Sequence, residues 1–266
     1  MSYDDLLNDP NIDAVYLPLP PALHYEWAFK ALNKKKHILL EKPFTINLSD
    51  TLALITFAKH NNLALHENYM FVFHRQLQKI QLLLQQNIIG KIREYRIDFG
   101  FPKRTENDFR YNKTLGGGAL LDCGGYSIKL ATILLGDTAR LMYSTLKYPE
   151  EYDIDLYGSA ILENDMNEIA KVSFGMDNAY KCDLEIWGSL GTIQTNRIFT
   201  ASHNFTPTIR IKKGSEAEVL SIESDDQFYN SIDYFYQCIN DLDLRQQSYQ
   251  AIHKQSKLVE QIQKIK

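Results

Sequence analysis

Strand-like and helix-like segments alternate along the first third of the chain, and this alternation constrains the fold more than any other feature of the sequence. Short apolar runs typical of strands lie at residues 14–17 and 37–40 and begin again at Leu63. Helix-like patterns separate them, at residues 22–33 and after Ser49, a plausible N-cap. Parallel strands need crossover connections of this kind. The alternation therefore predicts a parallel sheet covered by helices, an α/β arrangement.

After about residue 90 the pattern changes to a succession of strands separated by short polar breaks, which predicts a mostly antiparallel sheet. The strand-like runs cover residues 92–99, 140–146, 155–162, 168–174, 180–187 and 209–212. One helix is expected after Gly116–Gly118, and two more at residues 228–240 and 249–265. We therefore expect an α/β domain over residues 1–70, packed by the last helix, and an α+β domain over residues 71–266.

The charge balance argues against two classes of partner. The chain has 29 Lys and Arg against 33 Asp and Glu, a formal net charge of −4. Proteins that bind nucleic acids or anionic membranes generally carry a basic excess, so neither partner is expected. Cys123, Cys182 and Cys238 lie far apart without ligand spacing, which predicts neither a disulfide framework nor a metal site.

The sequence also lacks the expected signs of export or membrane insertion. Its first residues are acidic and lead into no apolar core, unlike a signal peptide. No run approaches the roughly 18 apolar residues that we expect of a membrane helix. We therefore expect a cytoplasmic protein.

The segment after the first strand does not fit the usual dinucleotide site. Such a site needs glycines where the backbone approaches a pyrophosphate at the start of a helix. Here the strand is followed by Pro18, Leu19, Pro20 and Pro21, and the glycine cluster lies far away at residues 116–118. On these residues alone the functional class stays open.

Several motifs together are similar to those of the glucose-fructose oxidoreductase, inositol dehydrogenase and MocA (Gfo/Idh/MocA) family of NAD(P)-dependent dehydrogenases. They occur in the same order over nearly the whole chain: residues 9–16 (DPNIDAVY), 18–20 with His24, 36–43 (KHILLEKP), 67–71 (ENYMF), 116–122 (GGGALLD) and 187–191 (WGSLG). The resemblance implies a Rossmann-like sheet, here incomplete, followed by a domain with a large, mostly antiparallel sheet. It also implies NAD or NADP as cofactor.

Within that family the chain most resembles the sugar-nucleotide 3-ketoreductases. Four segments carry this closer similarity: residues 108–111 (DFRY), 122–126 (DCGGY), 196–200 (NRIFT) and 225–228 (DDQF). The resemblance implies a sugar or sugar nucleotide as ligand. It further implies a homo-oligomer formed through the sheet of the second domain.

The resemblance implies that the sequence begins at what would be the fourth strand of the family's cofactor domain. On this comparison we expect roughly 60 residues of that domain, estimated as two crossover units of about 30 each, to have no counterpart here. In the family, that part carries the glycine-rich phosphate turn and the residue that separates NAD from NADP. We expect the strand at residues 14–17 to be left at an open edge.

The resemblance assigns the chemistry to Lys42, Tyr126 and Asp122. Lys42 would polarise a carbonyl, Tyr126 would donate the proton, and Asp122 would orient substrate hydroxyls. Lys42 follows an apolar strand, so it should emerge at the carboxyl edge of the sheet, where α/β folds bind ligands. Each residue also has an ordinary structural interpretation: a solvated loop lysine, a core tyrosine and a helix cap.

The resemblance also indicates which residues contact the ligands. The residues expected at the cofactor are Leu17, Pro18, Pro20, His24, Glu41, Lys42 and Asn68. Arg110 and Tyr111 would bind the pyrophosphate and the base of a sugar nucleotide, together with Asp122 and Tyr126 at the sugar. Structural alternatives remain open here, since the prolines could simply end a strand and His24 could lie on a helix surface.

The sequence thus supports a main hypothesis and two alternatives. The first is reduction of a nucleotide-linked keto-sugar by NAD(P)H, with the direction of reaction not fixed. The second is a dehydrogenase for a free sugar or polyol of the inositol type. The third is a non-catalytic remnant that keeps a sugar-binding sheet and cannot bind a dinucleotide, an alternative suggested by the absent glycine-rich turn.

Overall fold

The computed structural model describes residues 2–105 and 107–264. The helices are α1 (Tyr3–Asn8), α2 (His24–Asn33), α3 (Leu48–His60), α4 (Arg75–Gln85), α5 (Gly125–Leu135), α6 (Gln227–Asn240) and α7 (Leu242–Lys264). The strands are β1 (Ala14–Leu17), β2 (His37–Leu40), β3 (Leu65–Glu67), β4 (Ile92–Gly100), β5 (Arg140–Lys147), β6 (Tyr157–Glu163), β7 (Ile169–Gly175), β8 (Lys181–Gly188), β9 (Thr192–Asn196), β10 (Thr208–Lys213) and β11 (Glu216–Ser221).

The first three strands form a parallel sheet in the order β1-β2-β3, as the alternating sequence pattern predicts. Val15 pairs with Ile38, and Ile38 pairs with Leu65 across the next strand. Two details differ from expectation. The third strand begins at Leu65, two residues after the predicted start at Leu63. The N-cap of α3 is Asn47 and not the predicted Ser49, and the Asn47 side chain accepts a 2.8 Å hydrogen bond from the Asp50 N–H.

The other strands form a mostly antiparallel sheet in the order β11-β10-β9-β8-β4-β7-β6-β5. β4 lies in the middle and pairs parallel to β7, which is the exception to the antiparallel pattern. Together the two sheets confirm the predicted fold class. β9 and β11 were not predicted, because β9 is a polar segment and β11 is a largely exposed edge strand without clear alternation.

One face of the large sheet is buried and the other faces outward. In β8, Cys182, Leu184 and Ile186 are buried, whereas Trp187 on the opposite face is 53% exposed. α5 packs against the buried face. The three cysteines of the chain are buried and free, as expected for a protein without a disulfide framework.

α7 connects the two sheets. Tyr249 and Ile252 join the core of the small sheet, and Leu258 and Ile262 join the core of the large one. The helix begins at Leu242, earlier than predicted, and the predicted end at Ile265 lies outside the described residues. α1 and α4 were also missed by the sequence analysis.

One compositional expectation is wrong. The stretch Lys113–Leu135 is long and apolar enough, by length and composition, to cross a membrane. Most of it is buried inside the protein, where it forms the turns before α5 and α5 itself. Packing against the large sheet accounts for this apolar composition.

Candidate active site

A cleft of about 360 Å³ lies at the carboxyl ends of β1 and β2, facing the turns before α5. Its walls are formed by the proline turn after β1, the Glu41–Lys42–Pro43 turn after β2, and residues preceding α5. The lining residues include Pro18, Pro20, Glu41, Lys42, Arg110 and Asp122. The carboxyl end of a parallel sheet is where α/β folds place ligands, and the structure brings these sequence-predicted residues together there.

Asp122 is the centre of the charged group in this cleft. The Lys42 ammonium donates to Asp122 Oδ1 at 2.7 Å and to the Asp122 carbonyl oxygen at 3.0 Å. Arg110 Nε donates to the other carboxylate oxygen, Oδ2, at 2.8 Å. Arg110 also contacts Asp108, so its guanidinium lies between two carboxylates. One carboxylate thus fixes two cations at the wall of the cleft.

These contacts favour the charged forms of the group. Burial alone would raise the pKa of Asp122, but the Lys42 and Arg110 cations outweigh it and hold that pKa below its usual range. Burial likewise opposes the charge on Lys42, yet the Asp122 carboxylate raises the pKa of the ammonium above its ordinary value. Lys42 is therefore a cation at neutral pH, with a donor left for a ligand after its two bonds to Asp122.

Tyr126 lies behind Lys42 rather than on the wall of the cleft. The Lys42 nitrogen is 4.9 Å from the centre of its ring, and the tyrosine is buried among Tyr69, Phe71 and other aromatic residues. The hydroxyl has a weak contact with Met70 Sδ at 3.8 Å. Burial raises the pKa of Tyr126 to about 12, although the Lys42 cation acts in the opposite direction. The phenol is therefore protonated at neutral pH.

His24 is fully buried, so the surface interpretation of this residue is wrong. Its ring nitrogens lie 2.8 Å from the Pro43 carbonyl oxygen and 2.7 Å from that of Leu19. The imidazole therefore joins the turn after β1 to the turn after β2. It supports the cleft from behind and does not line it.

Glu41 and Asn68 belong to a hydrogen-bonded chain beside the cleft. Glu41 Oε1 accepts from the Tyr16 hydroxyl and from the Asn68 amide, both at 2.7 Å. Asn68 Oδ1 in turn accepts from Ser231 Oγ at 2.8 Å. Sequence reasoning missed Tyr16, although its position next to the end of a strand that leads into the cleft was an available signal. Leu17 lines a separate apolar groove on the open side of β1.

Tyr111 lies away from this group. Its hydroxyl donates to the Met176 carbonyl oxygen at 3.2 Å and accepts from the Arg104 N–H at 2.9 Å, and its ring packs on Tyr152. These contacts fix the loop before α5. Of the two residues assigned to a sugar nucleotide, the structure places Arg110 in the cleft and Tyr111 outside it.

The glycine cluster serves loop packing. A Cβ atom at Gly117 would lie 2.4 Å from the Arg110 carbonyl oxygen, and one at Gly116, which has a φ of +81°, would lie 2.8 Å from Pro21. These glycines let the loop that carries Arg110 approach the proline turn. The turn after β1 itself offers proline in place of a glycine cradle for phosphate.

Metal-binding clusters are not found in the part of the chain that the structure describes, where no three His, Cys, Asp or Glu side chains could hold an ion together.

Comparison with known proteins agrees with this arrangement. Residues 1–69 match the sequence model of an oxidoreductase family with an NAD-binding Rossmann fold, and residues 77–194 match the C-terminal domain of the GFO/IDH/MocA family. A dTDP-3,4-didehydro-2,6-dideoxy-alpha-D-glucose 3-reductase from Saccharopolyspora spinosa is 38% identical over 88% of this chain and 71% of its own length. A D-xylose 1-dehydrogenase (NADP(+)) from Haloferax volcanii is 30% identical over 78% of this chain and 62% of its own.

The structure also resembles a solved relative. A 3-ketoreductase from Actinomadura kijaniata, crystallised with NADP and TDP-benzene, superimposes with a TM-score of 0.94 over 98% of this chain and 81% of its own, at 34% identity. The two matched family segments cover most of the chain. The first contains the small sheet, and the second contains strands β4 to β8 of the large sheet. The chain therefore belongs to the Gfo/Idh/MocA family of NAD(P)-dependent oxidoreductases.

Proposed function

We propose that this protein reduces the keto group of a nucleotide-linked sugar with NAD(P)H. The observation that carries the proposal is the group at the cleft wall: the Lys42 ammonium is held by Asp122 at 2.7 Å and lies 4.9 Å from the ring of Tyr126. The 3-reductases and the 3-ketoreductase among its relatives support the same substrate class. The reverse reaction, oxidation of a sugar alcohol, uses the same groups.

Lys42 is the residue that polarises the carbonyl in this proposal. Negative charge grows on the carbonyl oxygen as the neighbouring carbon is reduced, and a fixed cation in a partly buried cleft stabilises that charge. The Asp122 carboxylate holds the ammonium in place and keeps it protonated. When bound, NAD(P)H supplies the hydride.

Tyr126 is the proton donor. The new alkoxide needs one proton, and the buried phenol is protonated at neutral pH because burial raises its pKa to about 12. The weak Met70 contact leaves the hydroxyl hydrogen available. The nearby Lys42 cation favours the phenolate that remains after transfer, which makes proton release easier.

The relative from Actinomadura kijaniata supports this choice of residues. Its solved structures include variants in which a tyrosine is replaced by phenylalanine and a lysine by alanine or glutamate. The two substituted positions are separated by the same number of residues as Lys42 and Tyr126.

The remaining ligand contacts follow from the cleft walls. We assign Pro18, Pro20 and Glu41 to the nicotinamide and its ribose, with Asn68 orienting Glu41. Arg110 is the cation available to a pyrophosphate, since guanidinium groups bind phosphate oxygens well. Residues 1–70 then form the cofactor domain, and residues 71–266 form the substrate domain.

We also propose self-association through the outward face of the large sheet. This face carries exposed aromatic side chains, Trp187 and Tyr157 among them, and on β8 it also carries the charged residues Lys181, Asp183 and Glu185. Light scattering should then report an oligomer, and Trp187→Glu should shift it towards the monomer. A monomeric wild-type chain would contradict this proposal.

The test of the function combines binding and turnover. Fluorescence titration with NADPH and with NADH measures cofactor binding. Oxidation of the reduced cofactor is then followed with a dTDP-linked 3-keto-sugar, and reduction of NADP+ or NAD+ is followed with free inositol and xylose. We expect turnover with the nucleotide-linked sugar, loss of about 10³-fold in kcat for Lys42→Ala and of about 10²-fold for Tyr126→Phe. A folded chain that binds neither cofactor would contradict the proposal and favour a non-catalytic role, and turnover confined to the free polyol would change the substrate class.

A further inference from the structure

A second pair of charged side chains is buried behind the cleft. Glu67 ends β3 and Lys129 lies on α5, with side chains only 2% and 11% exposed. Glu67 Oε2 is 3.6 Å from the Lys129 nitrogen and has no hydrogen-bond partner among the described residues. Neither residue lines the cleft, and neither has a role in the chemistry proposed for it.

The other oxygen of Glu67 holds the turn that carries Lys42. Glu67 Oε1 accepts a 2.9 Å hydrogen bond from the Phe44 N–H. Because Pro43 has no N–H group, this is the first backbone donor after Lys42. A buried backbone N–H needs an acceptor, so Glu67 fixes the backbone from which the Lys42 side chain projects.

Lys129 connects the same carboxylate to the helix of Tyr126. The two residues are three positions apart on α5 and so lie on the same side of the helix. The Tyr69 ring meets the Tyr126 ring edge-on at 5.1 Å, and a Cβ atom at Gly125 would lie 2.2 Å from the Tyr69 hydroxyl. Glu67 therefore contacts both the turn of Lys42 and the helix of Tyr126, and Tyr69 packs against the same helix.

Folding stability alone does not explain why Glu67 and Lys129 are charged residues. Burial raises the pKa of Glu67 and lowers that of Lys129, and each charge only partly offsets the effect on the other. An apolar pair of similar volume generally serves a core at least as well as a buried ion pair does. What an apolar pair lacks is the acceptor for the Phe44 N–H.

We propose that Glu67 is a positioning residue that sets the Lys42 ammonium against the Tyr126 ring. The inference rests on the proposed function, because it treats these two groups as partners in one reaction. Glu67 acts through the Phe44 N–H and does not touch the ligands.

Two double variants isolate this role. Glu67→Gln/Lys129→Met and Glu67→Leu/Lys129→Met both remove the two charges, but only glutamine keeps an acceptor for the Phe44 N–H. We expect kcat of the glutamine variant within about threefold of wild type, and kcat of the leucine variant about 10²-fold lower with KM changed less than about threefold. Glu67→Met replaces Glu67→Leu if circular dichroism shows that the leucine variant does not fold.

Ser248→Ala is the matched control. Ser248 donates a buried hydrogen bond of 2.6 Å to the Leu65 carbonyl oxygen on the same strand and does not reach the Lys42 turn. Its loss should lower the free energy of unfolding and leave kcat unchanged. A fall in kcat equal to that of the leucine variant would overturn the proposal, because any weakening of β3 would then explain the effect.

A second measurement does not depend on turnover. Fluorotyrosine placed at position 126 reports the surroundings of the ring through its fluorine NMR resonance without any ligand. We expect the resonance to shift or broaden in Glu67→Leu/Lys129→Met and to stay unchanged in the glutamine variant and in Ser248→Ala. An unchanged resonance in the leucine variant would overturn the positioning role. A wild-type chain without reductase activity would refute the proposed function, and the resonance would still decide the role of Glu67.

Discussion

Two buried groups of charged side chains lie on either side of the turn after β2, and they favour opposite protonation states. In the cleft, the pKa of Lys42 is raised and that of Asp122 lowered, so both are charged. Behind it, the pKa of Glu67 is raised and that of Lys129 lowered, towards the neutral forms. The two groups have similar burial but different hydrogen bonding.

This difference shows that direct hydrogen bonds determine whether a buried carboxylate stays ionised. Both carboxylate oxygens of Asp122 accept charge-assisted bonds, at 2.7 and 2.8 Å. One oxygen of Glu67 accepts only a neutral backbone N–H, and the other lies 3.6 Å from its cation. The cleft group therefore keeps both of its charges, whereas burial shifts the inner pair towards its neutral forms.

Removing the centre of the cleft group should give the largest effect. Asp122→Ala leaves Lys42 and Arg110 as neighbouring cations without their carboxylate. The pKa of Lys42 should then fall, and we expect kcat to drop about 10³-fold at neutral pH. Steady-state rates across pH test this, since the alkaline limb should move to lower pH. Asp122→Asn, which keeps an acceptor for Lys42, should lose less, and equal rates for Asp122→Ala and wild type would refute the role.

Replacing the lysine of each group by methionine should lower the free energy of unfolding by different amounts. Lys129→Met leaves the Glu67 carboxylate buried alone, and the free energy of unfolding should fall by about 3 kcal/mol at pH 8. Lys42→Met leaves Asp122 bonded to Arg110, so the free energy of unfolding of this variant should fall by less than about 1.5 kcal/mol.

The stability loss caused by Lys129→Met should depend on pH, and the pKa of Glu67 gives the direction of that dependence. The pKa of Glu67 is raised in the folded state, so the folded chain binds a proton more readily than the unfolded one, and stability falls as pH rises above the ordinary glutamate range. The defect should therefore shrink as the pH is lowered. Urea unfolding at several pH values measures it, and a defect that grows on acidification would contradict the comparison.

The elements that the sequence predicted well are those with a strong local pattern. The run His37–Leu40 has three consecutive apolar residues and ends at a turn that contains a proline. Both β2 and the position of Lys42 at its carboxyl end therefore follow from neighbouring residues. β9 has the polar sequence TIQTN and forms because β8 and β10 flank it. Pairing of this kind depends on distant residues, which no local pattern reports.

Local sequence patterns also fail to report the long-range contacts that form the candidate active site. The contact between Lys42 and Asp122 joins residues 80 positions apart, and it was not predicted: the family resemblance assigned Asp122 to substrate hydroxyls. The buried contacts of His24 and the hydrogen bond from Tyr16 to Glu41 depend on how the turns after β1 and β2 meet. Glu67 did carry a local signal, since a charged residue at the end of an apolar strand needs a buried partner.

Asp155 is a third buried carboxylate, and among the residues that the structure describes it forms no ion pair with a cation. It accepts a 2.6 Å hydrogen bond from the Leu120 N–H at the start of the turns that lead into α5. Burial raises the pKa of Asp155 to about 6, although that hydrogen bond opposes the shift. The folded chain therefore binds a proton more readily than the unfolded one, and ionised Asp155 costs stability.

Asp155→Asn should remove this dependence. Between pH 4 and pH 7 the wild-type free energy of unfolding should fall relative to that of Asp155→Asn by up to about 3 kcal/mol. Urea unfolding of both proteins across this range measures the difference. Parallel pH profiles would show that Asp155 titrates as an ordinary aspartate.

The smallest effect concerns the neutral side chains that connect the cleft to the interior. Ser231 Oγ donates to Asn68 Oδ1 at 2.8 Å and lies 3.0 Å from His66 Nε2, whose pKa burial lowers to about 3, so this imidazole is neutral. Ser231→Ala frees the Asn68 amide that orients Glu41. We expect NAD(P)H affinity to fall about threefold and the free energy of unfolding by about 1 kcal/mol, with kcat unchanged.

Ser127→Ala is the control for this change, because the Ser127 hydroxyl is equally buried and has no hydrogen-bond partner among the residues that the structure describes. Its removal should leave both affinity and stability near wild type, since no bond is lost. Cofactor titration and urea unfolding of the two variants then separate the loss of a bond from the loss of a buried hydroxyl. If Ser231→Ala behaved like Ser127→Ala, the orientation of Glu41 would depend on Tyr16 and the cleft wall alone.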